Sequence, residues 1–569
     1  MIIGLDVGGT HTDAVLIGEG SIQRQAKVPT EHSNLFECVW AALEQVTRDV
    51  PPHKILRAVL STTLTTNAIA EGKLAPTGMI VSAGPGVNPA LFRTGSNYHC
   101  VSGSIDHRGR EVQPVHAPEI QKIAARFKSE GVRQVGVVSK FSVRNPAHEL
   151  RIAEVLGNSF DNVVLGHRLS GNLNFPRRIA TAYLNAAVHS VHKKFFEAVR
   201  DSLEKKGLRI PILVLKADGG TINFESSIEV PGQTILSGPA ASVMGALPFA
   251  SETGDTLVLD IGGTTTDMAV LVRRVPLLEP LGGEIGGYKT LIRALRTQSI
   301  ALGGDSAVRV VEGELRIGPE RHGSAMAYGG PVPTPTDALF VLGRARDGGN
   351  AEASRRGLQP IADRLGVPLE EAATRVFDLA CRKILDASAG MIAGINSKPV
   401  YTVKEMLSGY RVEPREILVL GGPAPHFASR FSQMTGLRVH VVPQWHVANA
   451  IGAALARTTS EVALFADTEH GFAVAPEEDY RQKVGRDFNR QSAINLASDL
   501  LRKKCVRAGA VESELEVEVV EDLQFNMIRG FSSSGKNIRV KVQVKPGLIP
   551  GYRDVLGTIF DYCPLPGAI

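Results

Sequence analysis

Asp6 closes a short apolar run and opens onto two glycines and a threonine, in Ile2-Ile3-Gly4-Leu5-Asp6-Val7-Gly8-Gly9-Thr10. Asp260 does the same far along the chain, in Thr256-Leu257-Val258-Leu259-Asp260-Ile261-Gly262-Gly263-Thr264. The chemistry such a loop suits is phosphate binding. Glycines let backbone N–H groups approach phosphate oxygens with no side chain between them. A strand-end carboxylate reaches a magnesium ion, usually through water, because magnesium dehydrates reluctantly. Asp6 and Asp260 are therefore the expected metal-side carboxylates. The hydroxyls of Thr10, Thr12, Thr264 and Thr265 are expected beside the phosphates. One such loop would say little, since Gly-rich hairpins are common; two in matching context are hard to obtain by accident.

The elements that must position these residues repeat with them. Each loop continues through Thr-x-x-Asp into a second apolar run, Thr10 to Asp13 then Ala14-Val15-Leu16-Ile17, and Thr264 to Asp267 then Met268 to Val272. Strand, glycine loop, strand, present twice, predicts two related lobes. A third strand-to-glycine turn, Leu418-Val419-Leu420-Gly421-Gly422, can lay its backbone against a flat base. Alone it reads as an ordinary strand-to-helix turn, and it gains force as the third element after two phosphate loops. The small residues Ala448 to Ala454 suit a close helix crossing at a hinge. Val135–Val138 and Ile212–Leu215 read as buried strands, and Ile179–Leu203 and Leu369–Ile395 as helices. The polar stretch Gly348–Pro360 reads as a surface connection. Beyond about residue 460 an amphipathic helix, Ser492–Lys504, and alternating strands at Leu515–Val519 and Ile538–Val544 predict a separate α+β domain. Gly530 to Asn537 is one residue short of a Walker A loop and ends in Asn. It lies between two alternating strands, so it reads as a hairpin loop.

A chain of 569 residues has room for about three or four domains. Its 43% hydrophobic and 21% charged content is that of a globular protein, and 58 glycines with 5% aromatics suit an α/β enzyme. The net charge of +5 is spread thinly, which argues against a nucleic-acid footprint. Five scattered cysteines, Cys38, Cys100, Cys381, Cys505 and Cys563, form no CxxC pair, so neither a disulfide framework nor a structural zinc site is expected. No apolar run reaches the roughly 18 residues that span a bilayer, and no signal segment is evident, so a cytoplasmic location is expected. His99, Asp106, His107 and His116, and likewise His426, His440 and His446, show no ligand spacing and read as surface or hydrogen-bonded histidines.

In their order, Asp6–Asp13, Asp260–Asp267 and Gly421-Gly422 resemble the first phosphate, second phosphate and adenosine motifs of the actin, sugar kinase and heat-shock chaperone ATPase superfamily. The resemblance narrows with Ser61–Ala68, Arg178–Ala186, Ala217-Asp218-Gly219-Gly220, Thr234–Ala241, Ala301–Ser306 and Pro333–Ala338, which are similar to segments of the hydantoinase A/5-oxoprolinase family. It implies an α/β fold of duplicated actin-like (ribonuclease H-like) ATPase lobes around a nucleotide cleft. The expected divisions are residues 1–172 with the first phosphate loop, 173–460 with the second loop and adenosine motif, and 461–569 as the C-terminal domain. It implies ATP and Mg²⁺ as cofactors, and an ATP-dependent opening of a cyclic amide or a related ATP-dependent carboxylation of a ketone. It also implies a second, hydantoinase B-type subunit, for which 461–569 is too short to substitute. Self-association into a homo-oligomer is left open, and neither a membrane nor a nucleic acid is an expected partner.

Gly303-Gly304-Asp305-Ser306 resembles the glycine turn beside the nucleotide in chaperone ATPases, which puts Gly303, Gly304 and Asp305 on the nucleotide side. Thr63, Thr66 and Asn67 follow a strand and suit either a substrate contact or a helix N-cap. Asp218 suits either a turn or the cleft. His11, inside the first loop, reads as a packing residue. Three other functions share the fold: a small-molecule kinase, a regulatory ATPase and a filament. An iron–sulfur activator is disfavoured because the cysteines form no paired motif.

Overall fold

The computed structural model describes residues 1–31, 34–346, 348–397, 410–529 and 532–557. Ile2–Val7 and His11–Gly18 pair antiparallel with Asp6 opposite Asp13. Asp255–Ile261 and Thr266–Val272 pair in the same way with Asp260 opposite Asp267. Each hairpin then gains a parallel neighbour, Arg57–Thr62 beside the first and Pro414–Leu420 beside the second. Further out, Ile212–Leu215 and Arg438–Val441 add a second parallel strand to each. The duplication read from two loops therefore extends to four matched strands per lobe. Parallel neighbours need long crossovers, and in the first lobe one of these carries the 31-residue helix Phe175–Lys205.

That crossover straddles the expected division at 172/173. The helix and Ile212–Leu215 follow the division in sequence, yet the strand belongs to the sheet of the first hairpin. An all-parallel sheet of Asn162–Leu165, Gln134–Ser139, Thr77–Ser82 and Asn97–Cys100 is inserted between the strands of that lobe.

Two short helices of small residues, Ser237–Ala246 and Ala448–Leu455, cross between the sheets. A Cβ on Gly452 would lie 2.3 Å from the Ala241 carbonyl oxygen, and one on Gly245 would lie 2.2 Å from that of Ala448. A Cβ on Gly4 would lie 2.1 Å from the Ala450 carbonyl oxygen, so the same helix is seated on the first hairpin. The close crossing expected at Ala448–Ala454 is present, and only glycine permits it.

From Glu461 the chain forms a five-stranded antiparallel sheet in the order Tyr480–Lys483, Phe472–Ala475, Glu461–Asp467, Ser532–Val544, Val517–Arg529. The helix Arg490–Arg507 covers one face, burying Ala493, Ala497, Leu501 and Cys505 against Ile538, Val540 and Val542. This is the α+β unit expected from the alternation.

Two expectations fail. Gly348–Pro360 is not a surface connection: Ala351–Leu365 is a helix, capped by the Asn350 side chain on Ala353 N. Its polar residues hide an inward stripe of Ser354, Leu358, Ile361 and Ala362, and Pro360 is accommodated within it. Ser532–Asn537 is strand and not hairpin loop, because the ladder with Val517–Arg529 runs on to Arg529 and Ser532. Gly530 and Phe531 lie outside the described residues, as does Cys563. Cys38, Cys100, Cys381 and Cys505 are free thiols. Among the described residues no helix is long and apolar enough to cross a membrane.

Candidate active site

Strand pairing sets Asp6 opposite Asp13 and Asp260 opposite Asp267, one pair of carboxylates in each sheet. Asp6 is buried, and its carboxyl is pushed up to about 7 by burial and then by the charge of Asp13, with Asp260 adding to it. Asp267 is pushed up to about 7 by burial, then by Asp260, with Asp6 contributing. Each hairpin is therefore within electrostatic reach of the other, which is the arrangement the repeated loops required. Crowding of like charge makes full ionisation costly without a cation. Asp6 Oδ1 is buried without a hydrogen-bond partner, an acceptor free for a metal-bound water.

The two turns share one construction. Gly8 N donates to His11 O at 3.0 Å, and Gly262 N donates to Thr265 O at 2.9 Å. Gly9 has open space where a Cβ would be. Thr10 and Thr265 are half-buried and Thr264 is exposed, so all three remain open to the cleft. Thr12 does not join them. It is fully buried, with its hydroxyl 3.1 Å from that of Thr30, because strand alternation turns it away from the loop. Thr266, its counterpart, is likewise buried and donates to Leu302 O.

The other glycine motifs close on the second hairpin. Gly304 N and Asp305 N donate to the carbonyls of Gly262 and Gly263 at 2.9 and 2.8 Å. A Cβ on Gly303 would lie 2.5 Å from Gly262 O, so the contact demands glycine. Asp305 is held by Arg321 at 3.1 Å. Gly421 adopts φ +91°, and its missing Cβ would lie 2.5 Å from Asp260 Oδ1; Gly422 beside it is unobstructed. Gly303, Gly304, Asp305 and Gly421 thus border the Asp260 loop, and Gly422 follows next in the chain.

Thr63 continues from the first hairpin. Its N and Oγ1 both donate to Val7 O at 3.1 Å, and it precedes the helix Leu64–Ala70. Asn67 Nδ2 reaches Thr63 Oγ1 at 3.4 Å. Thr66 instead accepts from Leu236 N at 3.1 Å, clasping the segment that leads into Ser237–Ala246. Asp218 is elsewhere. It is buried in a cavity of about 540 Å³ bordered by the C-terminal domain, and none of the loop residues lines that cavity. Its carboxylate is engaged by Arg293 at 3.0 Å, Lys216 at 3.4 Å and Thr459 at 2.8 Å.

Several site residues were not singled out from sequence. Asp13 and Asp267 sat inside the repeated motif, and the repeat was the signal for them. Ser242 donates to Asp260 Oδ2 at 2.6 Å and Asn449 does so at 3.1 Å; neither carries a motif, and each arrives from a crossing helix. Lys27 holds Asp13 at 2.8 Å.

The sequence profile described as Hydantoinase/oxoprolinase matches residues 178–462, and the one described as Hydantoinase/oxoprolinase N-terminal region matches 2–160. The acetophenone carboxylase gamma subunit of Aromatoleum aromaticum is 26% identical over 77% of this chain and 64% of its own length. The caprolactamase subunit alpha of Pseudomonas jessenii is 24% identical over 78% of this chain and 68% of its own. The fold matches the nucleotide-free structure of acetone carboxylase with a TM-score of 0.72 at 17% identity, covering 97% of this chain and 88% of that one. The duplicated actin-like α/β lobes and the two matching profiles agree, and this chain belongs to the hydantoinase/oxoprolinase family.

Proposed function

We propose that this chain is the nucleotide-cleaving subunit of an ATP-dependent enzyme that activates a carbonyl compound by phosphoryl transfer, with a cyclic amide (a lactam, a hydantoin or a 5-oxoproline-like ring) as substrate and ring opening as outcome. The observation that carries this reading is the convergence of two Asp-Gly-Gly hairpins on a shared cluster of carboxylates. Membership of a family that includes a relative named caprolactamase supports the choice of a cyclic amide.

Asp6 and Asp260 would hold Mg²⁺, and Asp6 Oδ1 and the crowded carboxylates fit that role. Bound MgATP would supply an activated γ-phosphoryl group with part of its charge neutralised. The N–H groups of Gly9 and Gly263, with the hydroxyls of Thr10, Thr264 and Thr265, would orient its oxygens. Gly421-Gly422 and Gly303–Asp305 bound the nucleotide on the second lobe. Such transfer depends on positioning and charge stabilisation more than on covalent chemistry. An unstrained lactam is a poor electrophile with a poor leaving group. Phosphorylation of its carbonyl oxygen, with loss of the ring N–H proton, yields an imidate-like phosphate; water adds to its carbon, the ring C–N bond breaks to leave an amine and an acyl phosphate, and a second water releases phosphate and the open-chain carboxylate. Thr63 and Asn67, beyond the first hairpin, are the substrate-side residues of this proposal, and a hydantoinase B-type subunit completes hydrolysis. The acetophenone carboxylase relative favours a second reading, in which a ketone is activated for carboxylation.

ATP cleavage across a panel of cyclic amides and ketones, with and without candidate partner chains, tests the proposal. A cyclic amide should stimulate the rate, and Asp260→Asn should abolish the stimulation. Stimulation by ketones alone selects the second reading, and a stable phosphorylated product without ring opening selects a kinase. Stimulated turnover retained in Asp260→Asn removes the metal assignment.

A further inference from the structure

Val517–Arg529 is the outermost strand of the C-terminal sheet, and among the described residues no strand pairs its free edge. A strand of 13 residues in this position presents a long row of unpaired backbone groups. Proteins normally blunt such an edge with charge, proline or a covering element. Here Leu523-Gln524-Phe525-Asn526-Met527-Ile528 contains neither charge nor proline. Leu523 is 41% exposed, Phe525 57% and Ile528 70%, and Val519 and Val520 extend the apolar patch. The acids that precede this stretch are neutralised within the chain: Glu521 by Arg539 at 3.5 Å and Asp522 by Arg490. They guard the edge poorly.

The same residues are complementary to their own reversal. Glu521, Leu523, Phe525 and Met527 fall opposite Lys541, Arg539, Asn537 and Gly535 on the inner neighbour, so they share one face of the sheet. That face is opposite the one covered by the helix Arg490–Arg507, since Asp522 and Gln524 lie across from Val540 and Ile538. Laid antiparallel to a second copy and centred on Phe525, the strand sets Phe525 against Phe525 and Leu523 against Met527. On the other face Gln524 meets Asn526. Over residues 522–528 no like charges oppose each other, and aromatic and apolar cross-strand pairs are among those that stabilise a sheet. A two-fold axis through an antiparallel pair is the geometry of an isologous dimer, in which one patch serves both partners.

We propose that the free edge of Val517–Arg529 is the surface through which two copies of this chain pair, strand to strand and antiparallel about Phe525, making one continuous sheet of the two C-terminal domains. The full chain should sediment as a dimer, and Phe525→Glu should shift it to monomer with its circular dichroism unchanged. Phe525→Cys, made in a Cys100→Ser background, places one thiol on the axis, where directly opposed Cβ atoms lie about 4.5–5.5 Å apart. Mild oxidation should then yield a disulfide-linked dimer, and the Cys100→Ser parent should not. This cross-link keeps the test open if the glutamate variant fails to fold. A monomeric chain at tens of micromolar overturns the proposal, including the case in which the strand captures only an unlike subunit. So does a dimer that survives Phe525→Glu and does not cross-link through residue 525.

Discussion

At the scale of single residues, the site is an exercise in keeping acids where acids are costly. Asp260 stays in place because Ser242 and Asn449 both donate to its Oδ2. Under the magnesium role proposed for Asp260, residues that orient its carboxylate are worth about 10–100-fold in metal affinity or activity. Asn449→Ala should therefore raise the Mn²⁺ concentration that half-saturates ATP cleavage by about 10–100-fold, with the chain still folded, as a metal titration would read. A second residue tests burial without touching the site. His192 is fully buried against Phe196 and hydrogen-bonded to Ser227 at 2.9 Å, and burial pushes its pKa down to about 3. The unfolded chain binds a proton near 6.5 that the folded chain refuses, so this contribution is complete above pH 6.5 and lost as pH falls from there toward 3. Its slope is at most about 1.4 kcal/mol per pH unit. Urea unfolding midpoints between pH 7 and 4 should fall less steeply in His192→Gln than in the parent. Legibility at this scale followed repetition. Asp6 and Asp260 were readable because the motif occurs twice, whereas Ser242 and Asn449 meet Asp260 only through tertiary packing. Thr12 was misplaced by spacing alone, since strand alternation turns it inward to Thr30.

At the scale of elements, the crossing of Ser237–Ala246 with Ala448–Leu455 decides how the lobes meet. The first helix bonds the end of Arg57–Thr62 through Ser237 and Asp260 through Ser242, and the second reaches Asp260 through Asn449. Both span the two lobes, so their separation sets that of the two Asp-Gly-Gly loops. Gly452→Val would drive a side chain into Ala241 O and Gly245 N, backbone atoms that cannot turn aside. Overpacking of this kind costs about 1–3 kcal/mol or more. The denaturation midpoint should fall accordingly, and nucleotide binding by the remaining folded protein should weaken; unchanged binding would mean that the crossing does not set the cleft. The small residues made this crossing legible in the sequence, as hydrophobic runs did the paired strands. Ala351–Leu365 was not legible, because Gly348, Gly349 and Pro360 signal a break that its N-cap and inward stripe override. The strand Ile212–Leu215 was readable as a strand but not as a member of the first sheet, since sheet membership depends on where a crossover returns the chain.

At the scale of the whole molecule, the C-terminal domain is fastened to the lobes by buried charge. Asp218 accepts from Thr459 and pairs with Lys216 and Arg293. Arg293 also donates to Gln543 on the C-terminal sheet. Burial pushes the Asp218 carboxyl up, but Lys216 and Arg293 outweigh it and hold the group below the usual carboxylate range. Asp218 therefore stays ionised and its neighbours stay compensated. Asp218→Asn would leave Lys216 buried with no carboxylate beside it, and breaking a buried pair from one side costs about 3–5 kcal/mol. Calorimetry should show a lower melting temperature, with the C-terminal domain unfolding ahead of the lobes as its fastening fails. ATP cleavage per folded molecule should hold, because none of the loop residues lines the cavity that contains Asp218. The opposite pattern, intact melting with loss of substrate-stimulated turnover, would return Asp218 to the substrate and make the cavity around it part of the reaction path.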